Sequence, residues 1–289
     1  MIIHGIDVNK CNKCRTCVRE CPVNLFRLNT EKRVEFSDPH QWCMGCGHCV
    51  CVCPNEAILY SAKSELRKTE KQADIALDRL QEFLSGKRSC RNYKQKEIPD
   101  AIIQTFLDTA RFSPSSHNYQ PCEYVVIKEK KMMQFLADET IKSYKRLTVV
   151  MKFSRLLKPF IPQKFYKILS DKSFILSMED MVAKYDKGKD VVFFDAPVII
   201  LVHVPDLGPL SYVDSSIALT YGMLALHDCG IGSCWIGLAM LSLPKNKKVF
   251  NTLHISNDRK ITGIISMGYP VNTYHSIPER NEVKAAWIV

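Results

Sequence analysis

The sequence predicts an α+β protein in two parts, and three observations carry the prediction. Within residues 1–60, eight cysteines fall into one spacing that is written twice. Beyond them come apolar stripes at helical spacing and short apolar runs of strand length, the ingredients of a packed α+β domain. The 289 residues, 46% of them hydrophobic, suit one small domain followed by one of ordinary size.

The small domain comes first. Cys11, Cys14, Cys17 and Cys21 stand in the order C-x2-C-x2-C-x3-C with Pro22 behind the last, and Cys43, Cys46, Cys49, Cys53 and Pro54 repeat it. Residues 1–60 therefore resemble a bacterial-type ferredoxin with two [4Fe–4S] clusters. A cube needs four thiolates; three close cysteines wrap three corners, and in two-cluster ferredoxins the fourth cysteine of each run serves the other cluster. By that rule Cys11, Cys14, Cys17 and Cys53 hold one cluster, and Cys43, Cys46, Cys49 and Cys21 hold the second. Zinc sites instead pair two short CxxC units across a longer gap, and disulfides would need an exported chain. Cys51 lies outside the spacing and reads as a spectator thiol. His48 is expected to tune a cluster rather than to ligate iron.

The formal charge is +10, but the basic residues are dispersed and no aromatic–basic motif accompanies them. Nucleic acid is therefore not the expected partner; acidic redox proteins and anionic cofactors are. The N-terminus lacks the features of a signal peptide, and no apolar run approaches the roughly eighteen residues of a membrane span. Thirteen cysteines, mostly in cluster spacing, point to a reducing compartment. The expected location is cytoplasmic, in a niche low in oxygen, with no transmembrane segment.

Residues 61–79 read as a linker or helix leading into the second domain, 80–289. Thr69 to Gln72 has the form of a capping box, and Ala73, Ala76, Leu80, Phe83 and Leu84 make an apolar stripe that Gly86 can end. Pro99 opens an amphipathic helix carrying Ile102, Ile103, Phe106, Leu107 and Ala110. A strand over Glu123–Lys128 follows. Asp195-Ala196-Pro197 precedes an apolar strand, Val198 to Val204. Asp214–Cys229 reads as a buried helix, and Ile261–Met267 as another strand. Gly230-x-Gly232 is not a dinucleotide fingerprint, because the third glycine position is Trp235.

Two stretches in this part go together: Arg88-Ser89-Cys90-Arg91, and Pro114-Ser115-Ser116-His117-Asn118-Tyr119-Gln120-Pro121, about a helix later. With them, residues 80–289 resemble the nitroreductase family of FMN-dependent oxidoreductases. The resemblance implies an FMN-binding α+β domain with a mainly antiparallel central sheet. It makes Arg88, Ser89 and Arg91 ligands of the FMN phosphate and ribityl chain. Ser115, Ser116 and Asn118 would reach the flavin of the other subunit of a homodimer with shared FMN sites. Ile236 and Gly237 would approach the ring through backbone groups, and Arg280 would return to the phosphate. Cys122 stands where many relatives have tryptophan, and Ile236 where some carry an acid.

Residues 139–190 form a lid-like basic insert, with twelve basic and five acidic residues from Lys142 to Asp190, interleaved with Tyr144, Phe153, Phe160, Phe165, Tyr166 and Phe174. A lid, a docking patch for an acidic donor and a membrane-surface segment are the readings it allows.

The expected protein is an iron–sulfur flavoprotein oxidoreductase. Electrons from an acidic low-potential donor protein pass through two [4Fe–4S] clusters to FMN, which reduces a small electron-poor acceptor such as a nitro compound, quinone or activated alkene. The chemistry belongs to the cofactors and no side chain acts as nucleophile. The alternatives are a non-catalytic electron-transfer adaptor between proteins, and an NAD(P)H-dependent nitroreductase or reductive dehalogenase.

Overall fold

The computed structural model describes residues 1–62, 66, 68, 75–153, 162–163, 166 and 170–288. The expected capping box at Thr69–Gln72, Ala73, Phe160 and Phe165 lie outside the described residues. The chain divides into two compact units: Met1–Asp74 together with Ser115–Gln120, and Ile75–Pro114 together with Pro121–Val289.

The first unit repeats one motif. A strand, a cysteine loop, a short helix and a strand occur as β1 (Ile2–Ile6), α1 (Thr16–Glu20) and β2 (Phe26–Leu28), then as β3 (Val34–Phe36), α2 (His48–Cys51) and β4 (Ile58–Ser61). The outer strands β1 and β4 pair antiparallel, as do the inner strands β2 and β3. Ile3, Phe26, Val34 and Ile58 make the core between them, with Cys17 and Cys49. The repeat extends to single backbone angles. Positive φ occurs two and four residues after the first cysteine of each run, at Lys13 and Arg15 and again at Gly45 and Gly47. In the second run one of these must be glycine, because a Cβ on Gly45 would meet the Met1 carbonyl oxygen at 2.7 Å.

The second unit is a four-stranded antiparallel sheet covered by helices on both faces, its strands in the order β5 (Glu123–Ile127), β6 (Val198–Pro205), β8 (Arg259–Gly268) and β7 (Gly232–Trp235). In chain order it runs α3 (Leu77–Gly86), α4 (Asp100–Ala110), β5 (Glu123–Ile127), α5 (Lys130–Lys152), α6 (Lys172–Asp186), β6 (Val198–Pro205), α7 (Pro209–Asp228), β7 (Gly232–Trp235), α8 (Gly237–Ser242), α9 (Lys247–Thr252) and β8 (Arg259–Gly268). A strand covered on both faces has no solvent-facing side, which is why Val198–Val204 is apolar except at His203. Its alternate residues nevertheless enter different cores. Ile199 and Leu201 pack with residues of α5, α8 and α9, whereas Val198, Ile200 and Val202 pack with α4 and α7.

The helices follow their stripes. Pro99 caps α4, which buries Ile103, Phe106 and Ala110. Gly222 of α7 lets Phe106 in; a Cβ there would lie 2.4 Å from the ring. The described part of the basic insert is the C-terminal half of α5 and helix α6, packed through Tyr144, Met151 and Met178. Several of its charges are paired on the surface, Lys145 with Asp186 at 2.7 Å and Lys152 with Glu179 at 2.9 Å. Among the described residues, no helix is long and apolar enough to cross a membrane.

Candidate functional site

In the first unit the two cysteine runs close around two separate cavities. One is lined by Cys43, Cys46 and Cys49 of the second run and by Cys21 of the first. The other is lined by Cys11, Cys14, Cys17 and Cys53. The same grouping appears in the electrostatics. Burial pushes the Cys49 thiol up to about 12, and Cys46, Cys43 and Cys21 add to the rise. Burial likewise raises Cys17, and its cysteine neighbours are Cys11, Cys14 and Cys53.

Four thiolates crowded around one space repel one another unless a cation sits among them. Among the described residues no three potential ligands converge on one ion position; the cysteines surround cavities instead, as the corners of a metal cluster require. Main-chain donors are already aimed at the sulfurs. Leu25 N–H donates to Cys21 Sγ at 3.3 Å, and Ala57 N–H to Cys53 Sγ at 3.2 Å, the same bond four residues after the last cysteine of each run. The Thr16 hydroxyl donates to Cys14 Sγ at 3.3 Å; the corresponding position in the second run is His48. Cys51 is exposed and lines neither cavity.

The segment Ser115–Gln120 belongs to this same unit. His117, Asn118 and Gln120 have φ of 51°, 55° and 48°, a strained left-handed path for non-glycine residues. Local hydrogen bonds hold it: Gln120 N–H donates to Ser115 Oγ at 2.9 Å, and Gln120 Nε2 to Asn118 Oδ1 at 3.1 Å.

In the second unit the basic segment after α3 is extended. Ser89 bridges Ser233 in parallel, and Cys90 N–H donates to the Ser233 carbonyl at 3.1 Å. Side chains of an extended segment alternate between two faces. Ser89, Arg91 and Lys87 are all neighbours of the buried Cys234 thiol. Burial raises that thiol, while the Arg91 charge, a hydrogen bond from Ser89 and the Lys87 charge pull it down. Arg88 points the other way. Its guanidinium donates to the Lys87 carbonyl at 2.6 Å and to the Ser85 carbonyl, capping the end of α3. It lines a cavity with Tyr269, Pro270 and His227 instead. Lys87, which the sequence motif does not single out, lies with Ser89 and Arg91 near Cys234. The alternation of an extended segment is the signal that selects it.

This face suits an anion. It presents two cations and a hydroxyl around Cys234. Burial lowers the Lys87 pKa, with Arg88 adding to the effect, so an anion there would favour its charged form. Ile236 is less available than expected. Its N–H goes to the Ile264 carbonyl at 2.8 Å, and its carbonyl accepts from Met240 at 3.2 Å. Gly237 begins α8, and a Cβ there would meet nothing within 4 Å, so a planar group has room to approach the backbone. Arg280 lies exposed in the C-terminal stretch, which forms no helix or strand.

Comparison with known proteins agrees with both units. Residues 10–58 match the 4Fe-4S dicluster domain, and residues 84–269 match the nitroreductase family. Iodotyrosine deiodinase of Hydra vulgaris is 23% identical over 194 residues, covering 65% of this chain and 63% of that protein, so the chain spans less than two thirds of that relative's length. Ferredoxin of Methanothermococcus thermolithotrophicus is 38% identical over 55 residues, 18% of this chain and 88% of that one. Among solved structures, a nitroreductase with bound FMN from Desulfitobacterium hafniense superposes with a TM-score of 0.52 at 19% identity. That match covers 71% of this chain and 97% of the other. The chain belongs to the nitroreductase family, with a 4Fe-4S dicluster domain ahead of the family domain.

Proposed function

We propose that the protein is an iron–sulfur flavoprotein oxidoreductase in which a low-potential donor protein reduces two [4Fe–4S] clusters, the clusters reduce FMN, and a small electron-poor acceptor is reduced there. The observation that carries this reading is the pairing within one chain of two four-cysteine cavities with a basic, hydroxyl-bearing face in a nitroreductase-family domain. Clusters supply single electrons, and FMN converts two of them into a hydride equivalent.

The residues have separate tasks in this scheme. Cys11, Cys14, Cys17 and Cys53 hold one cluster, and Cys21, Cys43, Cys46 and Cys49 the other, while main-chain N–H groups offset charge on the sulfurs. Lys87, Ser89 and Arg91 take the FMN phosphate and ribityl chain, and Arg88 holds the end of α3 in place. Gly237 leaves room for the ring. Ser115, Ser116 and Asn118 serve the flavin of a partner subunit in a homodimer, and Arg280 returns to the phosphate. Nitro compounds, quinones and activated alkenes are the acceptor classes.

The likeness to the Hydra deiodinase favours a second reading, reductive removal of a halogen from an aromatic ring at the same flavin. The fused cluster domain separates the donor question from the acceptor question, and the test addresses the donor. In anaerobic stopped-flow, reduced ferredoxin is expected to reduce the flavin of the wild type but not of a Cys14→Ala/Cys46→Ala double variant that retains FMN. Equal flavin reduction in both proteins overturns the wiring and leaves NAD(P)H as the donor.

A further inference from the structure

The two clusters need not be equivalent, because one cysteine loop carries an attachment within its own unit. Met44, between Cys43 and Cys46, lines the cavity of Cys21, Cys43, Cys46 and Cys49. Its carbonyl accepts a hydrogen bond from Asn118 Nδ2 at 3.2 Å, across 74 residues of sequence. The Asn118 amide is fixed from both ends, since its Oδ1 accepts from Gln120 Nε2 at 3.1 Å. The loop is equally held. Asp38 accepts from the N–H groups of Trp42 and Cys43 at 2.7 and 3.1 Å, and Gly45 lies against Met1. Strained backbone on one side of the bond and a pinned loop on the other mark a contact the fold maintains at a cost. The cavity of Cys11, Cys14, Cys17 and Cys53 is lined wholly by residues between Ile6 and Ile58.

We infer that the Cys21–Cys43–Cys46–Cys49 cluster is the terminus that passes electrons to the flavin, and that Asn118 is the positioning residue that joins its loop to the flavin-facing segment. This rests on the proposed function, which assigns Ser115–Asn118 to the flavin. Electron transfer falls steeply with every gap that lacks a bond. The route from Cys43 through the Met44 carbonyl to Asn118 has one hydrogen bond and otherwise only covalent steps. The cluster of Cys11, Cys14, Cys17 and Cys53 then serves as the entry point. The step balances as two one-electron transfers. Two [4Fe–4S] centres return from the 1+ to the 2+ state, two electrons and one solvent proton convert FMN to its reduced anion, and the external one-electron donor protein restores the clusters.

The test uses the anaerobic holoprotein and reads each cluster by electron paramagnetic resonance during redox titration. Cys46→Ser and Cys14→Ser identify the two signals. Asn118→Ala is expected to shift the midpoint and line shape of the cluster that Cys46→Ser perturbs, leave the other unchanged, and slow flavin reduction several-fold per flavin bound. Gln120→Ala, which frees Asn118 at one end only, is expected to give the same shift in weaker form and covers the case in which Asn118→Ala does not fold. A shift in the cluster that Cys14→Ser perturbs, or no shift in either, overturns the inference. If the wild-type clusters do not reduce the flavin at all, the proposed function falls instead, whatever the resonance signals show.

Discussion

The main-chain N–H of Cys90 donates to the carbonyl of Ser233 at 3.1 Å, and this bond sets which side chains of the basic segment share a face. With the segment extended against β7, Lys87, Ser89 and Arg91 gather at Cys234 while Arg88 turns back to the end of α3. Lys87→Ala is therefore expected to weaken FMN binding by about 1.5–3 kcal/mol, the range for a hydrogen bond to a charged group. Arg88→Ala should leave the Kd close to wild type and lower thermal stability instead. Fluorescence titration of the apoprotein with FMN measures the first effect and a melting curve the second. A larger affinity loss for Arg88→Ala would mean that its guanidinium leaves the carbonyls when flavin binds.

Cys53→Ala is expected to destroy the cluster bound by Cys11, Cys14 and Cys17, although Cys53 follows the other run in sequence. Iron analysis should fall towards one cluster, and the surviving resonance signal should be the one that Cys46→Ser perturbs. Loss of the other signal would mean that each run closes its own cluster.

The Thr16 hydroxyl on Cys14 Sγ has its counterpart at His48 in the second run. A hydrogen bond to a cluster sulfur favours the more negative, reduced state and so raises the potential. Thr16→Val should lower the midpoint of one cluster by about 40 mV, the equivalent of one hydrogen bond of about 1 kcal/mol for a one-electron couple. Spectroelectrochemical titration reads the shift. Equal movement of both clusters would point to a general loosening of the domain.

His203 is buried on β6, and its Nδ1 accepts from Arg259 Nε at 2.6 Å. Burial lowers its pKa and the Arg259 charge adds to the effect, while Glu123 opposes it. The unfolded state therefore takes up a proton first, near the ordinary histidine value of about 6.5. Stability is expected to be flat in this respect above that pH and to fall as pH drops from there towards the lower folded value. Denaturant melts of His203→Gln, whose amide oxygen can still accept from Arg259, should lose that slope. An unchanged slope would place the titration elsewhere.

Gly222→Ala tests the packing of α7 on α4. The added Cβ would come within 2.4 Å of the Phe106 ring, which is fully buried and has nowhere to move. Overpacking of this kind costs about 1–3 kcal/mol. The melting temperature is expected to fall with cluster and flavin content intact, and to recover when Phe106→Leu is added.

The sequence by itself determined the features whose physics is local. Cysteine spacing wraps a loop around a cluster whatever surrounds it, so the dicluster domain was legible from its eight cysteines; the two cavities are lined by four of them each. Helix α4 followed its apolar stripe from Pro99. Strands β6 and β8 were legible because strands covered on both faces are mostly apolar, as in Val198–Val202 and Ile264–Ile265. Other features depend on what a segment packs against, and only the tertiary structure decided them. Lys87, not Arg88, joins Ser89 and Arg91 near Cys234 because β7 holds the segment extended. The Ile236 main chain is consumed by β8 and by α8. Asn118 meets Met44 across 74 residues of chain, and no periodicity or motif in either stretch encodes that bond.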